Sequence, residues 1–217
     1  MKENIILFDL DGTLIDSTDA IVSTFYHSFE KMGFDFQGTQ EDITSLIGHP
    51  LDIMYQELGV EQEVVWDFVA AYKERYKTIS KAQTELLDKA VEALELASSF
   101  ARLSIVTTKT GAYTEPLLEH LGIMDYFEFV TGREHVEHPK PHPEPILRTL
   151  DLMNIEKTSN IWMVGDTELD LIAASSAGIN SVGVTCGYGK KEDLETLTNF
   201  ITTDSLEAVK IIQDFKI

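Results

Sequence analysis

The stretch Ile5–Thr13, IILFDLDGT, is an apolar run that ends in two aspartates one leucine apart and then a glycine. Residues two apart in an extended strand point to the same side of the sheet, so a strand carried through both would present Asp9 and Asp11 to one site. Glycine marks a turn or a close approach of backbone to a ligand. The strand is therefore expected to end near Asp9 and to leave Asp11 on the following loop. Carboxylates this close repel, which favours a bound cation or a raised pKa on one of them, and either state suits catalysis. Alone, the stretch also reads as an ordinary strand-to-turn transition, where Asp and Gly are common.

Composition narrows the class. With 217 residues, 43% hydrophobic and 25% charged, the chain can bury one substantial core, or one core and a small accessory domain. No apolar run approaches the ~20 residues that span a bilayer. Lys2 and Glu3 lead into a strand-like run that ends in acids and not in a small-residue cleavage site, so a cytoplasmic address is expected. The lone Cys186 excludes an intramolecular disulfide and a cysteine metal cluster, and reads as a passive small residue. A formal net charge of −20 argues against nucleic acid or an anionic membrane as partner, since both need a basic surface. It also means that an anionic substrate needs local cations, from lysines or a metal.

Strand patterns lie at Ile5–Asp9, Leu103–Thr107, Phe127–Thr131, Ile161–Asp166, Ser181–Thr185 and, weakly, Phe200–Thr202, several of them continuously apolar as buried parallel strands are. Helical patterns separate them, and this alternation predicts an α/β fold with a doubly wound parallel sheet. The rhythm breaks between the first two strands, where Ser17 to about Ser80 is helical only. A helix is expected from an N-cap at Ser17 or Thr18 to Gly33. Another is marked by Val64, Phe68, Tyr72 and Tyr76 at i, i+4, a stripe that reads as bundle core. The insert leaves the sheet directly after the aspartate turn, so it is placed to close over that turn as a lid.

Three further segments share the logic of the first. Leu103–Lys109, LSIVTTK, is a strand ending in hydroxyls and a lysine, which sets Thr107 at the carboxyl end of the sheet as a donor for a phosphoryl oxygen. Pro139–Pro145, PKPHPEP, holds Lys140 in a stiff run, and a fixed ammonium balances the charge of a transferring phosphoryl group. The same prolines are expected to keep His138 and His142 from meeting at a metal. Trp162–Asp170, WMVGDTELD, repeats strand, glycine and acid, with Asp170 one helical turn beyond Asp166.

In this order, DLDGT, a strand-ending threonine, Lys-Pro and GDxxxD resemble the haloacid dehalogenase superfamily of phosphotransferases over essentially the whole chain. The insert resembles that superfamily's C1 cap. The KPHPEP run, Ile47–Pro50 and Gly183–Gly189 look most like its phosphoglycolate phosphatase branch. The resemblance implies sheet order 5-4-1-2-3, a core of residues 1–15 and 81–217, and a helical cap of 16–80. It implies hydrolysis of a small phosphorylated metabolite with Asp9 as nucleophile, forming an aspartyl-phosphate, and Asp11 as general acid and base. Mg²⁺ would be held by Asp9, the Asp11 carbonyl and Asp166. Gly12, Thr107, Thr108 and Lys140 would cradle the phosphoryl oxygens, and Asp170 would orient Lys140 or a metal-bound water. His49, Arg75 and Lys109 are candidates for the remainder of the substrate. A phosphomutase resembling β-phosphoglucomutase, or a pyrophosphatase or nucleotidase, shares these motifs, and the acids of GDTELD weigh towards a phosphatase. A phosphoreceiver-type regulatory module that binds Mg²⁺ is the reading from another class.

Overall fold

A computed structural model describes residues 4–155 and 160–215. Strand β1 (Asn4–Phe8) and the short β2 (Ile15–Asp16) precede helices α1 (Thr18–Met32), α2 (Gln40–Thr44), α3 (Leu51–Glu57) and α4 (Val65–Ile79). The chain returns through β3 (Glu85–Leu86) and α5 (Ala90–Phe100) to β4 (Ala101–Val106), then α6 (Gly111–His120), β5 (Val130–Thr131) and α7 (Glu144–Leu152). It ends with β6 (Ile161–Gly165), α8 (Glu168–Ala177), β7 (Asn180–Val184), α9 (Lys191–Leu194), β8 (Ile201–Thr202) and α10 (Ser205–Asp214).

Six strands form a parallel sheet in the order β5-β4-β1-β6-β7-β8. Counted along the chain, this is the expected 5-4-1-2-3 order with a sixth strand added beside the fifth. The period of two explains why its central strands are apolar throughout. Ile6, Phe8, Trp162 and Val164 share one apolar cluster with residues of α5 and α10. Their neighbours Ile5, Leu7, Ile161 and Met163 point the other way, into a cluster shared with α7 and α8. Each such side chain taken fully from water is worth about 1.5–3 kcal/mol, so the middle of the sheet is the most heavily anchored part of the molecule. Of the strand expected at Phe127–Thr131, the regular part is Val130–Thr131, although the Glu128 N–H and the Phe129 carbonyl already bond Leu103 and Ile105 of β4 at 2.9 Å; Met124–Tyr126 forms a tight 3-10 turn just before it.

The helices α1 to α4 enclose an apolar cluster of their own, with Phe25, Phe29, Tyr55, Phe68 and Tyr72 in contact at ring level. The first helix ends at Gly33 in the left-handed conformation, φ 68°, as its sequence predicts. Val64 departs from the expected buried stripe because it caps α4 from outside and is 40% exposed. The strands β2 and β3 pair antiparallel, Ile15 opposite Leu86 and Asp16 opposite Glu85, so the two connections of the insert run side by side where it leaves the sheet. Among the described residues no helix is long and apolar enough to cross a membrane.

Candidate active site

The strand β1 ends at Phe8, and the Asp9 N–H still donates to the Val164 carbonyl at 2.9 Å, so Asp9 stands at the carboxyl end of the sheet beside β6. Asp166 follows the last residue of β6. Connections from these two neighbouring strands run to opposite sides, which is the switch point where open α/β sheets bind ligands. Lys140 enters from the proline run ahead of α7 and is 2% exposed. Its Nζ lies 2.9 Å from Asp9 Oδ1 and 2.5 Å from Asp170 Oδ1, and donates to the Val106 carbonyl at 3.1 Å. Asp170, in the first turn of α8, also accepts the Thr167 N–H at 3.1 Å and hydroxyl at 2.7 Å in a capping box. A Cβ on Gly165 would stand 2.4 Å from that of Asp170, which is why glycine precedes Asp166.

Burial pushes the Asp9 carboxyl up to about 7, with the charge of Asp170 adding to it and Lys140 pulling the other way. Burial, then Asp9 and Asp170, hold Asp166 well above the ordinary carboxylate range. Burial works against the Lys140 ammonium, but the Asp170 and Asp9 carboxylates outweigh it and keep its pKa above that of a free lysine. One fixed cation thus faces three buried carboxylates.

A hard divalent cation fits this surplus of negative charge. Oxygens of Asp9, Asp166 and Asp170 lie within 4.8 Å of one another, and an all-carboxylate set suits Mg²⁺. Asp170 is occupied by Lys140 and Thr167, so Asp9 and Asp166 are the acids left to face it. Thr13 Oγ1 donates to Asp166 Oδ1 at 3.0 Å and the Tyr188 N–H to Oδ2 at 2.8 Å, and each oxygen keeps a lone pair. The backbone is shaped to this carboxylate. A Cβ on Gly12, whose φ is 81°, would fall 2.3 Å from Asp166 Oδ2, and one on Gly187 would fall 2.1 Å from it.

A stability prediction follows from the raised carboxyls. Between the ordinary value of 3.8 and about 7, the folded chain holds protons that the unfolded chain has released, so stability falls as pH rises through that window. Without divalent cation, the melting temperature is expected to drop from about pH 5 to about pH 7.5. Mg²⁺ at 100 times its dissociation constant is expected to return about 2.7 kcal/mol, with the larger effect at the higher pH, where no proton competes. Thermal denaturation at the two pH values with and without MgCl₂ measures this. Stability that rises with pH and ignores Mg²⁺ would contradict it.

Asp11 sits apart from the cluster. Its carboxylate accepts the Ser17 hydroxyl and faces Lys109 Nζ at 3.1 Å. Lys109 donates to Tyr76 Oη at 2.8 Å and lies 4.5 Å from the centroid of that ring. Burial opposes the Lys109 ammonium, and Asp11 and Tyr76 outweigh it. Ser17 is the N-cap residue as expected, but its hydroxyl makes no cap bond because it is turned to Asp11. Asp11, His49, Thr108 and Lys109 line a cavity of about 270 Å³ between the insert and the end of the sheet.

Other expected residues divide. Thr107 is buried at the end of β4 and accepts the Lys109 N–H at 3.1 Å, which occupies a lone pair and not its hydrogen. The Thr108 hydroxyl donates to the Gly48 carbonyl at 2.8 Å, tying this loop to the insert. Gly12 lies against Asp166, but its N–H closes the turn on the Ile15 carbonyl at 2.9 Å, so it is not a donor to a phosphoryl oxygen in this conformation. Arg75 is exposed on α4 and outside the cavity, because its neighbour Tyr76 takes the inward face of the helix. The expectation that the prolines separate His138 from His142 is also corrected. The two rings lie 4.7 Å apart, since Glu144 accepts the N–H groups of Glu137 and His138 and folds the loop on itself.

Sequence reading missed Thr13, Ser17, Tyr76 and Gly187 as site residues. The glycine spacing of Gly183–Gly189 carried a signal of close backbone approach, whereas the other three carried none. Cys186 is placed beside the site, its Sγ donating to the Gly12 carbonyl at 3.4 Å. Burial, then Asp166, pushes its thiol up to about 11, so it is not a thiolate nucleophile near neutral pH.

A family model described as haloacid dehalogenase-like hydrolase matches residues 6–184. A pyrophosphatase PpaX of Anoxybacillus flavithermus is 33% identical over 201 residues, covering 90% of this chain and 90% of its own. A phosphoglycolate phosphatase of Photorhabdus laumondii is 31% identical over 231 residues, covering 95% and 94%. Among solved structures, a haloacid dehalogenase-like hydrolase of Bacteroides fragilis superposes with a TM-score of 0.88 at 26% identity, covering 94% of this chain and 99% of that one.

Proposed function

The chain belongs to the haloacid dehalogenase-like hydrolase family, and we propose that within it the protein is a Mg²⁺-dependent phosphatase that cleaves a small phosphomonoester through a phosphorylated Asp9. The observation that carries this reading is Asp9 itself, buried at the switch point, held 2.9 Å from a buried lysine and close to the carboxylate of Asp166.

The Asp9 carboxylate attacks phosphorus, forming an acyl phosphate while the bond from phosphorus to the leaving oxygen breaks. Asp11 gives that oxygen its proton. The same carboxylate then takes a proton from the water that attacks phosphorus, and the bond to Asp9 breaks to release phosphate. The Lys140 ammonium opposes the burial that raises the Asp9 pKa, favouring its ionised form, and its charge offsets that of the phosphoryl oxygens, with the Thr107 hydroxyl as a donor to them. Asp170 holds Lys140 in place. Ser17 and Lys109 hold Asp11 at the wall of the cavity, where the leaving group departs. Asp9, Asp166 and the Asp11 carbonyl would hold Mg²⁺, which would supply electrostatic stabilisation of the transferring group. Residues 16–80 serve as a cap over a core of 1–15 and 81–217, and the paired strands β2 and β3 are the natural place for that cap to pivot.

The relatives named for pyrophosphate and for phosphoglycolate share the phosphoryl end and differ in the leaving group. Both substrates belong in the test. Phosphate release from a set of small phosphoesters is expected with MgCl₂ and is expected to fall at least ~100-fold with a chelator, as loss of a principal electrostatic stabiliser does. A chain that binds Mg²⁺ and accepts phosphate on Asp9, but releases none from any ester, would be a phosphoreceiver module instead.

A further inference from the structure

The cavity beside Asp11 receives the leaving group, because the residue that protonates that group is one of its walls. Its volume is about 270 Å³. Glycolate or phosphate would fill only a part of it.

The walls are mostly hydrocarbon. Ile21, Ile47, Leu51 and Met54 supply aliphatic surface, and Tyr72 and Tyr113 supply aromatic surface. Charge in the lining balances, with Lys73, Lys109 and Arg133 set against Asp11, Asp52 and Glu134. Several of these charges already have partners. Lys109 is held by Asp11 and Tyr76. Glu134 accepts the Gly111 and Ala112 N–H groups at 2.8 and 2.9 Å. In a chain of net charge −20, an anionic leaving group entering this largely apolar chamber would lose its hydration and meet as many carboxylates as cations in the lining.

We propose that the leaving group is an uncharged alcohol with an apolar, ring-sized body, and that neither glycolate nor inorganic phosphate is the preferred one. The proposal rests on the phosphatase reading above. Apolar surface then drives binding, and the ring fills space that a small polar alcohol would leave to water.

The test compares kcat/KM of the full-length protein with Mg²⁺ for 2-phenylethyl phosphate, ethyl phosphate, 2-phosphoglycolate and pyrophosphate. The first two release alcohols of similar basicity, so their ratio reports binding in the chamber and not leaving-group chemistry. The phenylethyl ester is expected to exceed ethyl phosphate by about tenfold or more, since even one methylene in a fitted pocket is worth that much, and to exceed both anionic alternatives. Tyr113→Ala is expected to lower the phenylethyl-to-ethyl ratio severalfold. Faster turnover of 2-phosphoglycolate or pyrophosphate, or a ratio indifferent to Tyr113→Ala, would overturn the chamber assignment and leave the phosphatase reading standing. Hydrolysis of none of the four would overturn both.

Discussion

Asp9→Asn is expected to remove measurable turnover, a loss of roughly 10⁴-fold or more as for other essential nucleophiles, while the metal-free protein becomes more stable near neutral pH. The two effects have one origin. Burial and the charge of Asp170 hold the Asp9 carboxyl up to about 7, so keeping it ionised above that pH costs folding free energy. An amide has the same shape, still accepts from Lys140 through its oxygen, and removes one of three crowded negative charges. The melting temperature without Mg²⁺ should rise, and the stabilisation by Mg²⁺ should shrink because a ligand is gone. Kinetic assay together with thermal denaturation separates this from simple unfolding, in which activity and stability would fall together. Activity that survives Asp9→Asn would defeat the assigned mechanism.

Lys140→Met is expected to be the most destabilising single change in the site. Its ammonium is 2.9 Å from Asp9 and 2.5 Å from Asp170, with all three side chains buried. Removing it strands two carboxylates in low dielectric, at a cost of about 3–5 kcal/mol. Methionine keeps the apolar stem, so the loss reports charge and not packing. Turnover should fall about 10²–10³-fold, the scale for removing one fixed donor from a developing anion. Adding Asp170→Asn relieves part of the uncompensated charge, so the double variant should regain stability without regaining turnover. Equal recovery of both would mean that Lys140 serves folding alone.

The parts legible in the sequence are those encoded locally. The strands β1 and β6 could be read from continuous apolar runs because both faces of a central parallel strand are buried. Asp9, Asp166, Asp170 and Lys140 converge because each follows a strand end or sits in a rigid run, so that topology alone carries them to one edge of the sheet. What escaped reading was decided through space. The pairing of β2 with β3 involves two residues on each side, too few to show a period. Ser17 serves Asp11 because the turn at Gly12 brings the two together, and the N–H of Gly12 is spent closing that same turn. Lys109 lines the cavity and pairs with Asp11 and Tyr76, a partnership between a core loop and an insert helix that no local pattern records. Arg75 and Tyr76 adjoin in sequence, and the rotation of α4 alone decides which one faces the cavity.

The most direct test is to trap the phosphorylated chain. Asp11→Asn lacks the base for the second step and also the acid for the first, so the ester used is 4-nitrophenyl phosphate, whose leaving group departs without a proton. After mixing with Mg²⁺ and quenching in acid, the variant should carry one phosphoryl group on the peptide containing Asp9, removable by hydroxylamine as an acyl phosphate is. Phosphate found on any other residue, or full turnover by Asp11→Asn with Asp9 never modified, would contradict the account.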